Sequence, residues 1–184
     1  MNKALAGALF AALAAAAGCA SNREAKEANP APCPNIVVLA DAARIIEFDG
    51  EEELENIAYT GEITDAVIAC RYYADRPIEV EVDLTMAFGK GPKGENGQKV
   101  FKYFVAVARR DLEVIAKEEF PAPAEFKEGR RVVVFEDEID RITIPRVNEN
   151  TSGVNFEIIV GFAVTPQQAI FNRSGKSLKF PGLQ

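Results

Sequence analysis

The side chains able to do chemistry in this 184-residue chain are few, because it contains no histidine. Ser-His-Asp and Cys-His catalysis therefore have no residues to work with, and neither has a histidine metal site. The acids gather in two clusters, Glu51-Glu52-Glu53 with Glu55 and Glu136-Asp137-Glu138 with Asp140. Neither has the D-x-D-x-D-G register that converges oxygen ligands on calcium, so both read as solvated turn charge. Paired carboxylates serve glycoside hydrolysis, but acids are so numerous here that no one pair stands out. Gly175-Lys176-Ser177 carries the ending of a phosphate-binding loop, yet Ile170 stands where that motif needs its first glycine. The densest polar-aromatic patch is Arg71, Tyr72, Tyr73 and Arg76. Tyr and Arg are enriched in binding hot spots, but at a strand end they more often cap a core. No metal and no cofactor are expected.

The most reactive residue by position is Cys19. Lys3 is followed by an uncharged Ala/Leu run from Ala4 to Ala17 and then by Gly18-Cys19. A positive charge, a short apolar run and small residues before a cleavage point make a secretory signal. The run is too short to span a bilayer, which takes ~20 residues. Ala16-Ala17-Gly18-Cys19 resembles the lipobox of bacterial lipoproteins, with Ala16 in place of the usual Leu. That resemblance implies a Cys19 that is diacylated and becomes the first residue of the mature chain. The competing readings are ordinary cleavage after Ala15-Ala16-Ala17, or an uncleaved anchor. Acyl chains give firm attachment, each buried CH₂ being worth about 0.8 kcal/mol. Ala20 is not the Asp that holds such proteins at the inner membrane, so the expected location is the outer membrane, facing the periplasm.

With Cys19 lipidated, two cysteines remain, Cys33 and Cys70. An even pair in an exported chain reads as one disulfide. A closed loop of about 38 residues is worth roughly 4 kcal/mol in the chain-entropy model. A redox or zinc pair is the alternative, but there is no C-x-x-C and no histidine to support it.

The elements that must carry these residues form one domain. Residues 1–18 are the signal, 19–34 a polar, Pro-broken tether, 35–174 the domain, and 175–184 a tail. The net charge is −7, and about −8 once Lys3 leaves, which argues against nucleic acid and against broad contact with anionic head groups.

Beyond the tether the pattern is β. Short strands are expected over Asn35–Leu39, Arg44–Phe48 and Ile57–Tyr72. In the next, Ile78, Val80, Val82, Leu84, Met86 and Phe88 alternate with Glu79, Glu81, Asp83 and Thr85. Gly89–Gly97 reads as a hairpin loop leading to Lys99–Arg109, a strand apolar on both faces and therefore central. Leu112–Phe120 reads as an edge strand ended by Pro121 and Pro123. Arg131–Phe135, Ile139–Ile144 and Phe156–Val164 follow. Thr165-Pro166 then starts a short helix with a hydroxyl cap and Pro at its first position. Seven or eight strands make an all-β, antiparallel, immunoglobulin-like sandwich with an N-terminal signal helix and a short C-terminal helix.

Three stretches carry a further likeness: Cys33-Pro34-Asn35 to Arg44, Cys70-Arg71-Tyr72, and Val160 to Gln168. Together they resemble an uncharacterised family of small proteobacterial lipoproteins with an immunoglobulin-type sandwich, although the chain has no Trp. The resemblance implies no catalytic residues. The expectation is a non-enzymatic envelope lipoprotein, anchored to the membrane by its N-terminal acyl groups. It would bind an envelope protein through a sheet edge such as Leu112–Phe120, using main-chain hydrogen bonds. The alternative is a small-ligand or glycan binder using the loops near Arg71–Arg76 and Gly89–Gly97.

Overall fold

The structure, a computed structural model, describes residues 32–73, 76–111, 113–148 and 150–179. The signal, Cys19, most of the tether and residues 180–184 of the tail lie outside the described residues. The described residues form eight strands: β1 (Asn35–Val38), β2 (Arg44–Phe48), β3 (Ile57–Arg71), β4 (Ile78–Lys90), β5 (Gly97–Arg109), β6 (Val114–Phe126), β7 (Val132–Ile144) and β8 (Phe156–Phe162). One short helix, α1 (Pro166–Arg173), follows them. Sheet one has the order β1-β8-β5-β6 and sheet two β2-β3-β4-β7. An all-β chain in two packed sheets is thus what the sequence pattern implied.

The alternation along β4 explains the packing. Its six inward residues from Ile78 to Phe88 are at most 2% exposed, while Asp83 lies open to solvent. In β3 the alternation changes phase. Ile63 is buried, and beyond an irregularity between Ile63 and Asp65 the core side passes to Ala66, Ile68 and Cys70. The sheets meet through aromatic rings: Phe88 of sheet two stacks on Phe101 of sheet one at 4.3 Å and lies 5.9 Å from Phe162. Each such buried side chain contributes about 1.5–3 kcal/mol.

Cys33 and Cys70 form the expected disulfide, with Cα atoms 5.6 Å apart. Because β3 lies between β2 and β4, the bridge ties the N-terminal segment to an interior strand. β1 meanwhile pairs with β8 in the other sheet. At the far end, Thr165 and Gln168 complete a capping box for α1. The Asn172 amide donates to the carbonyls of Asp41 and Arg44, and Arg173 pairs with Asp41. The helix is thereby docked on the turn between β1 and β2.

Four expectations need correction. The sandwich is not antiparallel throughout, since β1 runs parallel to β8. The chain leaves β1 by a 3-10 turn at Ala40–Ala42 and crosses to the other sheet, so no hairpin dictates the direction of β1. Gly89–Gly97 is not a hairpin loop, because β4 and β5 lie in different sheets and the segment crosses between them. Gly91 is needed there by close approach: a Cβ would fall 2.1 Å from the Ile57 carbonyl oxygen.

The third correction concerns β6, which does not stop at Pro121 but runs through both prolines to Phe126. It is an edge, where a proline with its nitrogen turned away from β5 breaks no ladder bond. Fourth, Glu136-Asp137-Glu138 is no turn; it sits mid-strand in β7, opposite Thr85, Leu84 and Asp83 of β4.

Candidate functional site

The sequence patch around Arg71 does not assemble into one site. Tyr72 is committed to the fold: its hydroxyl donates to the Pro32 carbonyl at 2.6 Å and accepts from the Gly153 N–H at 2.8 Å. The Arg146 guanidinium lies over its ring at 5.3 Å. Arg71 leaves the end of β3 and pairs loosely with Glu81 at 3.4 Å. Tyr73 and Arg76 are exposed, and the Arg76 N–H donates to the Tyr73 carbonyl. The side chains of Arg71 and Tyr72 thus serve neighbouring strands and segments. Cys33 and Cys70 are joined, and Cys19 lies outside the described residues.

What the fold does assemble is an open flank. β6 and β7 are the terminal strands of their sheets, and they border a shared cavity of about 250 Å³. Its apolar lining comes from the core itself: Val105, Val107 and Phe120 on one side, Ile139 and Ile142 on the other. Glu118 and Arg141 stand on its walls. The first six residues of β6, Val114 to Glu119, are all exposed, and among the described residues β6 pairs with β5 alone. An edge of this kind offers a row of N–H and C=O groups to an incoming strand.

Tyr103 closes the interior behind that flank. It is fully buried on β5, its ring stacks with Phe120 at 5.3 Å, and its hydroxyl donates to Asp137 Oδ2 at 2.6 Å. The bond crosses from sheet one to sheet two. Burial first, and then the Asp137 carboxylate, push the phenol well above its ordinary range. Its hydroxyl is held as a donor to Asp137.

The acids of β7 take on a new meaning once they lie in a strand. Glu138 meets Glu81 and Asp83 of β4 on the outer face of sheet two, with carboxylate oxygens within 4.8 Å of one another. Asp140, Asp83 and Glu81 together raise the Glu138 pKa above its usual value. Nothing in a linear scan marks this trio. The only signal is that the alternate acids Glu81 and Asp83 of β4 come beside the acids of β7 once the two strands pair, with Asp83 directly opposite Glu138.

A second, shallow cleft of about 590 Å³ lies on the outer face of sheet one, floored by Phe104, Ala42 and Val164. Lys117 lies over the Phe104 ring at 4.4 Å, and Lys102 and Arg173 stand at its rim. No described helix is long and apolar enough to cross a membrane. The chain matches no protein-family model, no curated protein and no solved structure.

Proposed function

We propose that this chain is a lipid-anchored envelope lipoprotein that works without catalysis, as an interaction or accessory module facing the periplasm from the outer membrane. The observation that carries the reading is the unpaired β6 edge beside an apolar opening into the core. Strand addition needs a free edge for main-chain bonds and pockets for alternate side chains, and this flank supplies both kinds of group. The signal pattern ending in Gly18-Cys19, the acidic charge and the resemblance to small proteobacterial lipoproteins support the same reading. In this reading the two sheets form an immunoglobulin-like sandwich over one core. The side-by-side run β2-β3-β4 gives it a strand order of its own.

The anchor is tested by replacing Cys19 with Ser and following incorporation of a labelled fatty acid and release from the membrane fraction. Unchanged acylation and unchanged membrane attachment would sink that half of the reading. The interaction half is tested by crosslinking intact envelopes and identifying what co-purifies, with proline variants of β6 as the comparison. The rival reading, a small-ligand or glycan binder, draws on the cleft over Phe104 rather than on the loops near Arg71 and Gly89. Glycan or small-molecule binding that is lost in Phe104→Asp and kept in the β6 variants would favour it.

A further inference from the structure

We infer that the β6 edge pairs with the β6 edge of a second copy of this chain, about a two-fold axis at Glu118. The inference rests on β6 being the interaction edge and names its partner. β6 already carries Pro121 and Pro123 opposite Lys102 and Val100 without interruption of the strand. Prolines fit there when their nitrogens face away from β5. By the two-residue period of a strand, Lys117 and Glu119 then share that outward direction, and theirs are the main-chain groups open to a neighbour.

Charge selects the register. In a symmetric antiparallel pair, residue i of one copy meets residue j of the other, and j meets i. An axis at Lys117 opposes two lysines. An axis at Glu119 opposes two glutamates and sets Lys117 against Pro121. An axis at Glu118 sets Lys117 against Glu119 of the second copy, and Glu119 against its Lys117, both through outward-facing main chain. Opposite charges directly across a pair stabilise it, and like charges do the reverse. Within one chain the Lys117–Glu119 contact is long, 3.7 Å, and solvent-exposed, and Lys117 also lies over the Phe104 ring at 4.4 Å, so a change of partner gives up only weak, exposed contacts. The two Glu118 side chains meet on the axis, one like-charge pair set against the two opposite-charge pairs that Lys117 and Glu119 form. Arg141 lines the same cavity as Glu118 and has no ion pair among the described residues. Pro121 ends the free run, which keeps the paired segment short and its register fixed.

The test uses the full-length chain in detergent, with the dimer fraction read by sedimentation velocity; all variants keep the same anchor, so its contribution cancels. Lys117→Glu and Glu119→Lys should each weaken dimerisation about tenfold, because each turns two attractive pairs into two repulsive ones. The double variant K117E/E119K should dimerise like the wild type, and the two single variants mixed together should form a heterodimer. Glu118→Cys, on the axis, should give an interchain disulfide under mild oxidation, while Glu125→Cys should not. A monomeric wild type, or a double variant no better than the singles, would overturn the inference. If the wild type is monomeric but Lys117→Pro still removes a crosslink to another envelope protein, self-pairing fails and the edge reading stands. If that crosslink also survives the proline, both fail.

Discussion

The hydroxyl of Tyr103 reaches from one sheet to the other and donates to the carboxylate of Asp137 at 2.6 Å, with its own ring fully buried. A hydrogen bond to a charged acceptor contributes about 1.5–3 kcal/mol. Tyr103→Phe should therefore lower stability by roughly 2 kcal/mol in chemical denaturation while leaving the disulfide and strand content unchanged.

The pH dependence of that bond has a definite sign. The folded phenol titrates above the unfolded one, so its contribution is fully present below the unfolded value near 10. It is lost as pH rises from there through the folded value. Stability of the wild type should thus fall more steeply than that of Tyr103→Phe above pH ~10. Parallel curves for the two proteins would remove Tyr103 from the explanation.

The N-terminal segment is held at two points, the Cys33–Cys70 bridge and the Tyr72 hydroxyl between Pro32 and Gly153. Replacing both cysteines with serine should cost roughly 4 kcal/mol, measured by denaturation against the oxidised wild type. A loss near zero would mean that the bridge constrains little in the unfolded chain.

Gly153 makes the second point possible. A Cβ there would lie 2.5 Å from the Tyr72 hydroxyl oxygen and 2.6 Å from the Pro32 carbonyl oxygen. Gly153→Ala should destabilise by about 1–3 kcal/mol, the usual cost of overpacking. Tyr72→Phe should relieve only part of that difference, because the Pro32 carbonyl oxygen and the Pro34 nitrogen still lie 2.6 and 2.7 Å from the added Cβ, which thermal melts of the single and double variants would read.

Glu138, crowded by Asp140, Asp83 and Glu81, has its pKa raised. A carboxyl raised on folding opposes folding when ionised, and the penalty fades as pH falls through the folded pKa. Glu138→Gln should raise the melting temperature at neutral pH, less so in acid and less so in high salt. A lower melting temperature in the variant at neutral pH would contradict the crowding account.

The sequence displayed much of this fold, and the parts it hid have physical reasons. The β4 alternation, the Cys33–Cys70 pair and the Thr165-Pro166 helix start were legible because each is a local pattern with one dominant cause. β7 was read as two pieces because Glu136-Asp137-Glu138 resembles a turn by composition, while pairing with β4 decides it. β6 was cut at Pro121 because a proline's effect depends on which way its nitrogen faces, and only the neighbouring strand fixes that. The parallel β1 was invisible, since no local signal reports the direction of a terminal strand. The same limit applies to the open flank: Leu112–Phe120 could be recognised as an edge from its prolines, but its position beside β7 and above Ile139 and Ile142 depends on the order of strands in both sheets. Tyr72, at a strand end where such residues more often cap a core than bind, spends its hydroxyl on the main chain of two distant segments.

The central claim is that the outward main chain of β6 makes the contact with a partner. Its most direct test is crosslinking in intact envelopes with Lys117→Pro and Glu119→Pro, each removing one outward N–H without taking a bond from β5. Melting temperature and disulfide content serve as controls for folding. The account predicts that both variants stay folded and lose the crosslinked species that the wild type forms. Folded variants that keep every crosslink would contradict it.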